Sequence, residues 1–361
     1  MILAGDIGGT KTSLALFDWK TERVEPAREH TVPSADYKTF EEMLAEFLEM
    51  PSRPLSLPSD EAESDRGGDR ADTEPPDSPP TITAACFGVA GPVIGNRCRT
   101  TNLPWVVDAP ELARRFEIPA VRLVNDLEAT AYGLLCLRPD EVTVLNRGSQ
   151  AAGKSAMALI AAGTGLGEAM LYWNGHEYRP LPSEGGHADF APNSDQEIEL
   201  LRYLRGSYVH VSYERVLSGP GLHAIYEFLR DTKKNEPTWV AERIKTGDPA
   251  AVIAEIGLSR QAEICVQALD LFASIYGAEA GNLALKALAY DGVYLGGGIA
   301  PKILPKLQEP GFLRAFTGKG RYRRLLSGIP VYVIMNPSTA LLGAASAAAT
   351  LSRHGQGDLA E

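Results

Sequence analysis

The run Val121-Arg122-Leu123-Val124 is strand-like, ends in Asn125-Asp126, and hands over to Leu127-Glu128-Ala129-Thr130-Ala131, which has helical character. A carboxylate at a strand tip that opens onto a helix sits where α/β folds carry their chemistry. Asp126 can take a proton from an alcohol, and Asn125 can donate and accept hydrogen bonds beside it. The same Asp is equally suited to capping a helix. Further on, Ser183-Glu184-Gly185-Gly186-His187 sets an acid and an imidazole around two glycines, so both side chains can converge on one small polar object. No further ligand stands at a metal-binding spacing, and hydrogen bonding to hydroxyl groups fits the pair better. Glu214 is a third carboxylate, read either as a partner of that pair or as a capping or solvent residue. Asn102 is either a polar ligand contact or a turn former.

A second set of residues suits phosphate. Asp6-Ile7-Gly8-Gly9-Thr10-Lys11 joins two strand-like runs as a hairpin. Glycines let the backbone approach a ligand and aim N–H groups at it, and Thr10 adds a hydroxyl. Asp6, at the strand tip, can hold Mg²⁺ through water. A plain turn is the other reading. The stretch is not a Walker A loop, because Thr10 rather than glycine precedes Lys11 and a strand rather than a helix follows. Gly163-Thr164-Gly165-Leu166-Gly167 repeats the same logic between two more strand-like runs, which suggests two jaws on one polyphosphate. Gly296-Gly297-Gly298, between a strand and a helix, lets the backbone lie against a flat base or a ribose.

These residues need elements to hold them. Apolar runs at residues 2–6, 13–18, 81–89, 121–124, 156–162, 168–173, 291–295 and 331–335 predict strands. Helical spacing predicts helices over 37–50, 110–116, 219–230, 239–245, 258–290, 299–307 and 338–351. Residues 51–80 are rich in Pro, Asp, Glu and Ser without an aromatic residue, and read as a mobile surface insertion. The chain has 361 residues, enough for two domains, expected at 1–136 with 338–361, and at 137–337. A net charge of −11 argues against a nucleic-acid partner. Cys86, Cys98, Cys136 and Cys265 form no CxxC pair, so reduced thiols in a cytoplasmic protein are expected. No signal peptide or membrane span is visible.

Taken in order, Gly5-Asp6-Ile7-Gly8-Gly9-Thr10-Lys11, Thr101-Asn102, Asn125-Asp126, Gly163-Thr164-Gly165-Leu166-Gly167, Glu184-Gly185-Gly186-His187-Ala188-Asp189-Phe190-Ala191-Pro192, Glu214-Arg215-Val216-Leu217-Ser218-Gly219-Pro220-Gly221 and Gly296-Gly297-Gly298 run along nearly the whole chain. In that order they resemble the bacterial glucokinases that lack a zinc motif. The related sugar kinases and repressors usually carry cysteines after the Gly-Gly-His, and residues 188–195 here contain none. The resemblance implies a two-domain α/β fold of the actin-like ATPase (ribonuclease H-like) class, with a ligand cleft between a small and a larger domain. It implies D-glucose and ATP as substrates, with Mg²⁺, and a homodimer. It makes Asp126 the general base and Asn102, Asn125, Glu184, His187 and Glu214 the glucose-binding set. Gly8, Gly9, Thr10, Lys11, Gly163 and Thr164 become phosphate contacts, Gly297 and Gly298 the adenosine contact, and Asp6 the magnesium-side carboxylate. Three rivals remain: a kinase for mannose or fructose, a non-catalytic sugar sensor, and an actin- or Hsp70-like ATPase. A sensor of the repressor type would need a DNA-binding module ahead of Asp6, where little room is left.

Overall fold

The segment Ile2-Leu3-Ala4-Gly5 offers no polar side chain to water, so as a strand it needs cover on both faces. The computed structural model, which describes residues 1–19, 25–50, 81–100, 103–149, 153–233 and 235–357, gives it that cover. The chain divides into two compact units, Met1–Cys136 with Ser338–Glu361, and Leu137–Pro337. The insertion expected at residues 51–80 lies outside the described residues, as does Asn102.

In the first unit a five-stranded sheet runs in the order Arg28–Pro33, Lys11–Phe17, Ile2–Ile7, Ala84–Val89, Val121–Asn125. The first two pairings are antiparallel and the last two parallel. Parallel pairing aligns the carboxyl ends of three strands: Asp6 lies opposite Gly88, and Gly88 opposite Val124. Topology therefore brings Asp6 and Asp126 to one sheet edge. One face of the sheet buries Leu3, Ile7 and Phe87 against Phe40, Met43, Leu44 and Phe47 of the helix Phe40–Glu49. Each such side chain contributes about 1.5–3 kcal/mol of burial. The other face packs Ile2, Ala4, Cys86 and Val124 against the Ala-rich helix Thr339–Gly357. That helix crosses the helix Asp126–Leu134 at very close range. A Cβ on Gly343 would fall 1.8 Å from the Ala129 carbonyl oxygen, and one on Gly133 would fall 2.0 Å from that of Thr339.

The second unit repeats the plan in a six-stranded sheet: Tyr178–Ser183, Leu166–Trp173, Met157–Ala162, Val293–Gly296, Val331–Ile334, Val142–Asn146. Two antiparallel pairings are again followed by two parallel ones. The buried helix Glu263–Ala287 packs beneath it, with Ala158 and Leu295 in the same core as Cys265, Phe272 and Tyr276.

Most expected elements form, with shifted ends. The helix expected over 37–50 starts at Phe40, because the Thr39 side chain accepts the Glu42 N–H at 3.2 Å. The stretch expected over 258–290 forms as the single helix Glu263–Ala287; the helix Pro249–Leu258 before it, capped by Asp248, is not among the expected ones, and Arg260, left-handed at φ 56°, splits the two. The stretch over 299–307 divides into Ile299–Lys302 and Leu304–Leu307. The strand Tyr178–Ser183 escapes sequence reading because it carries Pro180 and Pro182, which a strand tolerates only at an edge, its position here.

Candidate active site

The first unit supplies a carboxylate pair beside a glycine turn. Asn125 ends its strand and caps the following helix: its Oδ1 accepts the Leu127 N–H at 2.9 Å, and its Nδ2 donates to the Gly91 carbonyl at 3.2 Å. Asp126 is thus the first helical residue rather than the cap, and its Oδ1 shares the Leu127 N–H at 2.9 Å. Gly88 lies between the Asp6 and Asp126 strands in the register. A Cβ there would lie 2.8 Å from Ala129 Cβ, so the missing side chain is what lets the helix start settle on the sheet edge. The Asp6 carboxyl is pushed up to about 6, first by burial and then by the Asp126 charge, with Lys11 pulling the other way.

The turn after Asp6 is braced from behind. Gly8 N–H closes it onto the Lys11 carbonyl at 3.1 Å, and Ser34 N–H reaches the Thr10 carbonyl at 3.0 Å. Ser34 Oγ donates to the Gly8 carbonyl at 2.7 Å and lies 2.9 Å from Thr12 Oγ1. Among the described residues no protein acceptor meets the Gly9 and Thr10 N–H groups. Thr10 and Lys11 are exposed. Ser34 and Thr12 brace this turn without appearing in the motif, and only their buried hydroxyls mark them.

The second unit carries the other Gly-Thr turn and the acid–imidazole set. Gly163 N–H closes its turn onto the Gly165 carbonyl at 2.9 Å, and Gly219 N–H donates to the Gly163 carbonyl at 2.8 Å. Glu214 Oε2 accepts the Leu166 N–H at 3.0 Å, which ties this carboxylate to that turn. His187 Nδ1 stands 4.0 Å from Glu214 Oε1, and its Nε2 stands 4.0 Å from Glu184 Oε2. His187 therefore stands between the two carboxylates; the spacing suggests this for Glu184 and His187 alone, with Glu214 open to a capping or solvent reading. Backbone bonds hold them there: Phe190 N–H to the Val211 carbonyl and Tyr213 N–H to the Ala188 carbonyl, both 2.9 Å. Gly186 must be glycine, since a Cβ would lie 2.0 Å from the Leu166 carbonyl. Gly297, at φ 77°, presses on the Ala162 carbonyl just before Gly163, whereas a Cβ on Gly298 or Gly163 would meet nothing within 4 Å. Space for a flat ligand is thus open at Gly298. A separate recess of about 680 Å³, lined by Ser194, Glu197, Lys233, Arg314 and Lys319 among others, contains none of the predicted site residues.

The Glucokinase family profile matches residues 3–351. The chain belongs to the glucokinase family. The glucokinase of Nostoc sp. (strain PCC 7120) is 40% identical, over 97% of this chain and 99% of its own. Among solved structures, a glucokinase from an Antarctic psychrotroph superposes with a TM-score of 0.78 at 28% identity, covering 97% of this chain and 98% of that one. A glucokinase from Balamuthia mandrillaris, solved in complex with glucose, superposes at 0.72 and 21% identity, over 96% of this chain and 93% of its own. The fold is the two-domain actin-like ATPase fold of these sugar kinases. No helix among the described residues is long and apolar enough to cross a membrane.

Proposed function

We propose that this protein phosphorylates D-glucose on its 6-hydroxyl with the γ-phosphoryl group of ATP, giving glucose 6-phosphate and ADP. The observation that carries the reading is the convergence of Glu184, His187 and Glu214 in a family member whose Asp126 stands at the tip of a strand. An alcohol is a poor nucleophile, and phosphoryl transfer is governed by alignment and charge neutralisation. Asp126 takes the 6-hydroxyl proton as the new O–P bond forms and the bond to the ADP oxygen breaks. Helix geometry serves this role: Asn125 caps the helix, and the Leu127 N–H fixes Asp126 Oδ1 at 2.9 Å. Glu184, His187, Glu214, Asn125 and Asn102 bind the sugar hydroxyls. A sugar with a misplaced hydroxyl leaves one of these groups unpaired, which is the source of selectivity over mannose and fructose.

The N–H groups of Gly9 and Thr10 with the Gly163-Thr164 turn bind phosphate oxygens, Lys11 adds a positive charge, and Gly297-Gly298 take the adenosine. Asp6 fits Mg²⁺: its oxygens are hard donors, and a cation relieves the strain of two neighbouring carboxylates. Bound with ATP, Mg²⁺ would neutralise charge on the transferring phosphates. A cytoplasmic setting suits the buried thiols Cys86, Cys98 and Cys265, and the family resemblance suggests a homodimer.

A coupled assay tests the reading with glucose, mannose or fructose as acceptor, and ATP, ADP or polyphosphate as donor. Glucose with ATP is expected to give the highest kcat/KM. Asp126→Asn is expected to lower kcat by about 10²–10⁴-fold with glucose binding kept, the usual weight of a general base. Absence of glucose-dependent ADP release from the wild type, or near-normal turnover in the variant, defeats it.

A further inference from the structure

Strand Leu166–Trp173 carries one acid where its apolar surroundings call for none. Glu168 is 1% exposed, and Glu279 of the helix Glu263–Ala287 is fully buried. The two carboxyls meet, and burial together with the Glu279 charge holds the Glu168 proton on, up to about 8. Glu168 Oε1 finds no donor among the described residues. A proton held between the two acids supplies one, and two buried ionised carboxylates in contact would repel.

The turn that bears Glu184 and His187 lies directly on this pair. Glu168 faces Ser183 in the sheet register, and Ser183 Oγ donates to the Glu168 carbonyl at 2.9 Å. Gly185 N–H then donates to Ser183 Oγ at 3.2 Å. A Cβ on Gly185 would fall 2.2 Å from Glu168 Oε2, so the backbone of the turn rests against the carboxyl itself. On the far side, Glu279 Oε2 accepts from Asn282 Nδ2 at 2.8 Å, and the same Nδ2 donates to Tyr213 Oη at 3.0 Å. Tyr213 adjoins Glu214. The buried pair therefore connects both segments that present the sugar-binding side chains, without belonging to either.

We propose that Glu168 is a positioning residue for glucose: paired with Glu279 and lying against Gly185, it supports the Ser183–His187 turn and sets how tightly the sugar is held. The proposal rests on the assignment of Glu184, His187 and Glu214 to glucose. Other titratable groups packed around the pair are Lys286, which is 3.4 Å from Glu279, and Tyr213, Tyr276 and Lys319. Glu197 acts on Tyr213 and Lys319. Loss of the shared proton is expected to push the two acids apart and loosen the turn, so KM for glucose should rise as pH passes through about 8.

The test measures kcat and both KM values from about pH 6 to about pH 9.5 for wild type, Glu168→Gln, Glu168→Leu and His187→Ala. Glu168→Gln should keep the neutral-pH KM for glucose, since its amide can donate to Glu279, and should lose the alkaline rise. Glu168→Leu should raise KM for glucose roughly tenfold at every pH while leaving KM for ATP and kcat within about twofold. Where Glu168→Leu fails to fold, Gly185→Ala probes the same contact: it crowds the Glu168 carboxyl and should raise KM for glucose while leaving KM for ATP within about twofold. A wild-type pH profile in Glu168→Gln, or equal effects on both substrates, overturns the positioning role. If His187→Ala leaves KM for glucose unchanged, the sugar-site assignment fails first; if His187→Ala raises it and the Glu168 variants do not, only the positioning role fails.

Discussion

Asp6 shows what one residue costs and what it offers. Its carboxyl is raised from 3.8 to about 6 by burial and by Asp126, so the folded protein holds a proton there that the unfolded chain releases. Its favourable contribution is complete below about pH 4 and is lost as pH rises through about 6. Asp6→Asn removes this dependence. The variant is expected to gain stability over the wild type as pH rises between those values, reaching about 3 kcal/mol at neutral pH, in denaturant unfolding without ligands. Equal pH dependence of the two proteins would remove the buried-acid account. Such a cost, kept at a strand tip beside a phosphate-type turn, is what the proposed magnesium-side role of Asp6 would account for.

At the scale of elements, the position of Asp126 depends on a helix crossing. The helix Asp126–Leu134 lies against Thr339–Gly357 with glycine at both contact points, and neither Gly133 nor Gly343 has room for a methyl group. Gly343→Ala must part the helices or shift the start of the first one. Overpacking of this kind costs about 1–3 kcal/mol. The expected result is a lower denaturation midpoint together with a fall in kcat larger than the change in KM for either substrate. A loss of stability with kcat intact would show that the crossing holds the fold without setting the base. The Gly-Thr turns obey a similar logic: Ser34 braces the first and Gly219 the second, so each presents N–H groups from a fixed backbone.

At the scale of the whole molecule, a chain of net charge −11 proposed to bind a polyanionic nucleotide cannot rely on a basic surface. In the proposed function, backbone N–H groups at the two Gly-Thr turns take that part instead. The family resemblance carries the expectation that glucose binding compacts the chain and excludes water as a rival acceptor. Small-angle scattering is expected to show a smaller radius of gyration with glucose alone. An unchanged profile would count against closure driven by the sugar.

Much of this was legible in the residues. Strand–turn–strand patterns around Gly8 and Gly163, the strand tip at Asn125-Asp126, and the Glu184/His187 pair are short-range signals, because a period of two residues and a glycine turn need only neighbours to be read. Other features depended on tertiary structure. The edge strand Tyr178–Ser183 is hidden by its prolines, and the break before Glu263 depends on one left-handed residue, Arg260. Asn96 is a further case: its side chain pairs with the backbone of Val121 and Leu123, continuing a strand it does not belong to. The effect of the Asp126 charge on Asp6, and the meeting of Glu168 with Gly185 and Glu279, arise only when register and helix packing bring distant segments together. Local sequence sets which backbone shapes are cheap; which buried groups become neighbours is decided by the packing of the whole sheet, since each partner's burial depends on all the others.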